Sequence, residues 1–218
     1  MVAKFVHCLI PLLLLLHIHF PATVRAADID LQSRFIGIVT ASLNEKWQIR
    51  AGITRIYFND ISELELQSFY AGPYYTISKG LKTGLEYRHM DKQINGQWVP
   101  EDRVSSVLVL RKKYSDWHVV LRKRLEYRSR AKGYGVEWRG RSFLKIAART
   151  DSFIPYLSNE LFYNIGKGRL NRYKFQIGVD IPVAEKLKTG IYYEYETEKF
   201  SREWEGLHIV GTSLVLLL

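Results

Sequence analysis

Residues 173–197 read YKFQIGVDIPVAEKLKTGIYYEYET. Tyr173, Phe175, Ile177, Val179 and Ile181 alternate with Lys174, Gln176, Gly178 and Asp180. After the polar triplet Ala184-Glu185-Lys186 the alternation resumes, with Leu187, Thr189, Ile191, Tyr193, Tyr195 and Thr197 set against Lys188, Gly190, Tyr192, Glu194 and Glu196. A period of two with one apolar face is the pattern of a half-buried strand, and a short polar break between two such runs is a hairpin turn.

The same pattern fills the chain on either side. Leu81, Thr83, Leu85 and Tyr87 alternate with Lys82, Gly84, Glu86 and Arg88, and Trp47, Ile49, Ala51 and Ile53 with Gln48, Arg50, Gly52 and Thr54. No segment keeps a 3.6-residue apolar stripe for three turns, so the chain reads as all-β. Candidate strands lie at 33–43, 47–57, 64–77, 81–90, 103–113, 117–127, 138–149, 153–163, 172–183, 187–197 and 207–218. Tight turns are centred at residues 45, 79, 115, 151 and 185, evenly spaced along the chain. Between them lie polar stretches at 58–63, 91–102, 128–137, 164–171 and 198–206, which read as longer loops at the other end. Long strands with tight turns at one end and longer loops at the other describe an antiparallel up-and-down transmembrane β-barrel. A strand count of ten to twelve is expected. Ten strands from Trp47 onward give the even number usual in bacterial barrels. Residues 33–43 are then an inner plug, an extra edge or half of a parallel seam.

The amino-terminal segment carries an address. Residues 1–26, MVAKFVHCLIPLLLLLHIHFPATVRA, place Lys4 before an apolar run and end on Val24-Arg25-Ala26, the layout of a cleaved signal peptide. The run is short for a spanning helix, which needs ~20 apolar residues. Cleavage after Ala26 removes Cys8, the single cysteine, and leaves residues 27–218 as one β-barrel domain without a disulfide. A membrane-inserted protein with no spanning helix has to be a closed barrel, because backbone polar groups find no partner in hydrocarbon.

Aromatic residues sit near strand ends. Trp47 and Tyr57 bracket one strand, Trp117 and Tyr127 another, and Trp138 starts a third. Rings at these positions suit a girdle at the membrane interface. Lys123 breaks the pattern, because it shares an apolar face with Trp117, Val119, Leu121, Leu125 and Tyr127. The opposite face carries charge. Glu86, Arg88, Arg122, Arg124, Glu126, Arg128, Arg139, Arg141, Glu160 and Glu194 are the candidate lining of an enclosed interior. Buried charges have to be paired, so this set reads as an ion-pair network that fills the lumen, or as a small polar channel or an anion-binding interior.

Several short motifs follow one another in order: Trp98-Val-Pro-Glu-Asp-Arg103, Arg124-Leu-Glu-Tyr-Arg128, Glu137-Trp-Arg-Gly-Arg141, Pro155-Tyr-Leu-Ser-Asn-Glu-Leu-Phe-Tyr163 and Asn171-Arg-Tyr173. In these the chain resembles the bacterial family called domain of unknown function 2490, over nearly all of residues 27–218. The resemblance implies an exported, outer-membrane-type barrel and no particular reaction. It also implies handling by the barrel-insertion machinery. That machinery commonly reads a terminal aromatic residue, whereas this chain finishes on the apolar stretch Gly211–Leu218 without one. Trp98, Pro100, Glu101 and Arg103 fall in the 91–102 stretch and at its border, where the apolar triplet Trp98-Val99-Pro100 is expected to fold back over the barrel mouth, the alternative being a contact site for a partner.

Catalysis, a cofactor and a metal find no support. Beyond residue 26 the histidines are His89, His118 and His208, with no Gly-x-Ser-x-Gly motif and no metal-ligand spacing. The formal charge of +10 invites a nucleic-acid reading, but the export signal argues against it. Outer-membrane lipid, including lipopolysaccharide phosphate, fits the same charge, with Arg128, Arg130, Lys132, Arg139 and Arg141 as candidate contacts. The expected location is a Gram-negative outer membrane, with the periplasm as the alternative. The expected role is structural or that of a narrow or plugged pore. The alternatives are a lipid-modifying enzyme and a soluble periplasmic lipid-binding barrel.

Overall fold

The computed structural model describes residues 31–58, 61–131, 135–150, 152–200 and 203–218. The signal peptide expected over 1–26, and Lys132, lie outside these residues. Among the described residues the eleven regular elements are all strands: β1 (Leu31–Ser42), β2 (Trp47–Phe58), β3 (Glu63–Ser78), β4 (Leu81–Ile94), β5 (Gln97–Tyr114), β6 (Trp117–Arg130), β7 (Gly135–Ala148), β8 (Ile154–Asn164), β9 (Arg169–Ala184), β10 (Leu187–Phe200) and β11 (Glu203–Leu217). They form one closed barrel in which every sequential neighbour pairs antiparallel and β1 closes the ring on β11.

The count of eleven lies within the expected ten to twelve and replaces the even count from Trp47; of the three places open to residues 33–43, the ring assigns the parallel seam. Residues 31–42 are a full member of the wall. β1 pairs antiparallel with β2, from Ser33↔Tyr57 to Ser42↔Gln48, and parallel with β11, from Leu31↔His208 to Thr40↔Leu217. An odd number of up-and-down strands leaves the first and last running the same way, so the seam has to be parallel. Hydrogen bonds Ser42 N–H to Leu218 O (3.0 Å) and Leu218 N–H to Thr40 O (2.8 Å) carry the seam to the carboxyl end.

The expected loop at 91–102 is a second correction. Asn95 and Gly96, both at positive φ (51° and 73°), make a two-residue hairpin turn. Strands β4 and β5 run to either side of it, paired from Leu81↔Leu110 to Ile94↔Gln97. Trp98, Pro100, Glu101 and Arg103 are therefore strand residues and do not fold back over a mouth. Strand lengths reach 18 residues in β5 and fall to 11 in β8. The polar stretches read as loops are largely strand ends.

Alternation decides what faces where. Ile49, Ile53, Phe69, Leu85, Val104, Leu108, Ile177, Ile191 and Val210 lie exposed on the outer wall. Inward positions are filled by two unlike materials. The half nearest the tight turns holds two apolar clusters, Tyr74, Val107 and Val109 with Val120, and Ala147, Tyr156 and Tyr192 with Ile36 and Ile154, beside a few charged groups such as the Lys145–Asp180 pair. The middle and the other half hold charge. Glycine makes room where rings cross the interior: a Cβ on Gly211 would stand 2.0 Å from the Tyr192 ring.

Candidate functional site, a charged lumen

The interior network is built on carboxylates that each bind several cations from neighbouring strands. Glu126 on β6 is the most deeply enclosed, its side chain 1% exposed. Its Oε2 accepts Arg139 Nε (2.8 Å) and Nη2 (2.6 Å), and its Oε1 accepts Arg141 Nη1 (2.7 Å). Arg124 Nη1 approaches the same oxygen at 3.5 Å. The register explains the cluster, because Glu126 stands opposite Arg139, and Arg124 opposite Arg141.

From Glu126 the network spreads in both directions. Arg141 reaches Glu160 on β8 through Nε (3.2 Å) and Nη2 (2.8 Å), and Arg122 Nη2 joins at 3.3 Å. Arg124 Nη2 lies 2.9 Å from Glu86 on β4, whose carboxylate also accepts the Tyr74 hydroxyl. Towards the far end, Glu101 accepts Arg128 (2.7 and 3.1 Å), Arg130 (2.7 Å) and Arg103. Glu137 takes a second bond from Arg128 and from Arg130. On the other wall Glu194 and Glu196 bind Lys174 and Arg34, and Arg172 Nη1 meets Glu196 at 3.0 Å. Phe162, 2% exposed, lies among the cationic groups, with Arg141 at 4.5 Å and Arg139 at 5.0 Å from its ring centre. A buried guanidinium tolerates this setting because its charge is matched and its face is stacked.

All ten charges picked from sequence thus line one enclosed space, and nine of them meet an opposite charge there. Arg88 is the exception. Its Nη1 donates to Ser68 Oγ (3.2 Å) and its guanidinium stacks 4.6 Å above the Tyr70 ring. Glu196 shares the face of Glu194 read from the alternation; the residues that sequence reasoning missed are Arg34, Arg172, Lys174, Glu137 and Phe162, together with Glu101 and Arg103, which read as part of a loop motif. Their parity would have marked the last two, since Glu101 and Arg103 alternate in phase with Val107 and Val109. The proposed lipopolysaccharide contact is corrected in part by the same geometry. Arg128 and Arg139 are buried and Arg141 is half-buried, held by Glu101, Glu126 and Glu160 and turned away from the outer surface.

The outer wall holds the rest. Trp47, Trp117, Tyr127 and Trp138 are exposed, and Tyr57 is half-buried. Trp47 packs on Tyr75 at 5.0 Å and Tyr127 on Trp138 at 5.1 Å. Lys123 does point outward, and its Nζ donates to Ser142 Oγ at 2.7 Å across β6 and β7. It borders a groove of about 600 Å³ lined by Leu108, Leu125, Gly140, Leu161 and Tyr163. Asn159, in alternation with Leu157 and Leu161, bonds Tyr173. His89 sits between two carboxylates, with Nδ1 2.9 Å from Asp102 and Nε2 3.6 Å from Asp91. The Tyr87 hydroxyl donates to the same Asp102 at 2.6 Å. Both ring nitrogens of His89 thus face acid.

A family model described as "Protein of unknown function (DUF2490)" matches residues 35–206. No curated protein matches the chain. Among solved structures it is similar to the β domain of the Bordetella autotransporter BrkA, at 12% identity and a TM-score of 0.47, over 77% of this chain and 82% of that one.

Proposed function

Because the chain belongs to the DUF2490 family, whose description names no activity, we propose its role from its own geometry: a plugged outer-membrane β-barrel of a Gram-negative cell, exported by a signal peptide cleaved after Ala26, with a structural role. The observation that carries the reading is the burial of the inward side chains Glu126, Arg139 and Phe162, each no more than 2% exposed, within a ring of ion pairs that ties strands one or two apart along the wall. Side chains tied in this way occupy the space through which a solute would pass. The outward apolar wall and the aromatic residues at its ends support the membrane placement, since a continuous exposed apolar surface this large is rare on a soluble monomer. Embedding lipid is the partner that this wall fits.

Two measurements test it. Fractionation should leave the protein in the outer membrane after osmotic shock, with a heat-dependent shift in gel mobility. Release without detergent favours the soluble periplasmic barrel instead. Planar-bilayer recording of the purified barrel should show no steady conductance, and a resolved single-channel current overturns the plug.

A further inference from the structure

Charge is not balanced around the lumen. The bridging carboxylates Glu101, Glu126, Glu160 and Glu194 stand on β5, β6, β8 and β10. The wall made by β2, β4 and the turn end of β5 presents cations instead. Arg50, Lys82 and Arg111 occupy inward positions there, in phase with buried Gly52, Glu86 and Val109. None of the three meets a carboxylate in an ion pair among the described residues. The nearby acid, Glu86, attracts Arg50 but is bonded by Arg124 and the Tyr74 hydroxyl. Arg50 bonds Tyr70, while its Nε is buried with no partner.

The three cations share one region. Lys82 stands opposite Val109, so Arg111 is its diagonal same-face neighbour, ~7–8 Å away. Arg50 stands opposite Gly72 and Lys82 opposite Thr76, so Tyr74 on β3 is the diagonal same-face neighbour of both. Below them lies the apolar floor of Tyr74, Val107 and Val109. Arg111 is exposed, so the region opens towards the tight-turn mouth. Cations gathered over a low-dielectric floor in a concave space focus a positive field. Two guanidinium forks and an ammonium match the several acceptor oxygens of a tetrahedral anion.

We propose that Arg50, Lys82 and Arg111 form a binding site for a phosphate-class oxyanion just inside the tight-turn mouth of the barrel. The site needs the closed lumen and does not depend on the membrane placement proposed above. The test is equilibrium dialysis of the full barrel, folded in a neutral detergent, against radiolabelled orthophosphate at constant ionic strength. One saturable phosphate per barrel is expected. Arg50→Gln and Arg111→Gln should each weaken it at least tenfold. Lys186→Gln, which removes the same charge from the β9–β10 turn at this end, should leave it unchanged. A gel heat-shift confirms that each variant is folded, and Lys82→Gln serves if Arg50→Gln is not. Displacement by phosphatidylglycerol added to the micelles assigns the phosphate to a lipid headgroup, and its failure assigns it to a free anion; both outcomes support the site. Absence of saturable binding, retention in both arginine variants, or an equal loss in Lys186→Gln overturns it.

Discussion

Replacing Glu126 by Gln keeps the side chain's shape and removes its charge. The carboxylate it replaces accepts Arg139 through two nitrogens and Arg141 through a third, all within 2.8 Å, at a side chain 1% exposed. Gln offers one oxygen and two N–H donors, and those donors face guanidinium groups that can accept nothing. Arg139, 2% exposed, is left as a buried cation with no full countercharge. Breaking a buried pair from one side costs about 3–5 kcal/mol. The retained oxygen puts Gln near the lower end, at about 3 kcal/mol. Urea unfolding of the refolded barrel, followed by tryptophan emission and by the gel heat-shift, reads this as a lowered midpoint. Glu45→Gln in the exposed β1–β2 turn is the control, expected within about 0.5 kcal/mol of the parent. The double variant Glu126→Gln with Arg139→Gln should recover part of the loss, with a coupling of about 0.5–3 kcal/mol. Raised salt should leave the difference intact, because enclosed pairs are screened much less than exposed ones. A folded Glu126→Gln barrel within about 0.5 kcal/mol of the parent would refute the claim that the lumen is held by matched charge.

Gly72→Ala should destabilise by about 1–3 kcal/mol or more, since the added Cβ would stand 1.8 Å from the Leu85 carbonyl oxygen; amide exchange should rise locally in β3 and β4, and unchanged exchange counts against this close approach. Lys123→Leu should raise stability in bilayers by about 2 kcal/mol, because a lysine near mid-depth on a lipid face costs ~2–4 kcal/mol; urea titration in vesicles measures it, and a fall would show that this face meets protein. Ile38→Cys with Val215→Cys, opposite each other across the parallel seam, should form an intramolecular disulfide in the folded barrel; failure under mild oxidation argues for another closure. A tag placed before residue 31 and one after Leu218 should be reached by protease from opposite sides of the membrane, and same-side access is incompatible with eleven strands.

Much of this architecture is legible locally. The alternation over 187–197 marks a strand whatever it pairs with, and it puts Glu194 and Tyr193 on opposite faces without further information. The ten interior charges follow from that parity alone. The misreading at 91–102 has a physical cause as well. Asp91, Lys92 and Gln93 are polar on successive positions, so polarity hid a turn that Asn95-Gly96 announces by itself. His89, Asp91 and Asp102 lie together on the outer wall near that turn, and polar residues there need not mark a loop. Lys123 shows the reverse. Its outward position was readable, but its partner Ser142 was not, because the pairing of β6 with β7 sets it.

Closure lies beyond local reading, because it joins the two ends of the chain. Parallel pairing is slightly weaker per residue than antiparallel pairing, so the β1–β11 seam is the place where the ring would open first. The interior charge bears on that weakness. Arg34 stands on β1, opposite Gly211 of β11, and its guanidinium reaches past that glycine to Glu194 and Glu196 on β10. A side chain at position 211 would occupy the path, and the Tyr192 ring already lies against it. The bond therefore spans the whole of β11 and ties β1 to the strand beyond it. A one-residue slip of β1 would turn Arg34 to the outer wall and break both contacts, since side chains alternate strictly between faces. The network that fills the lumen thus also selects the seam's register, which is why one glycine, one arginine and two glutamates far apart in sequence have to be read together.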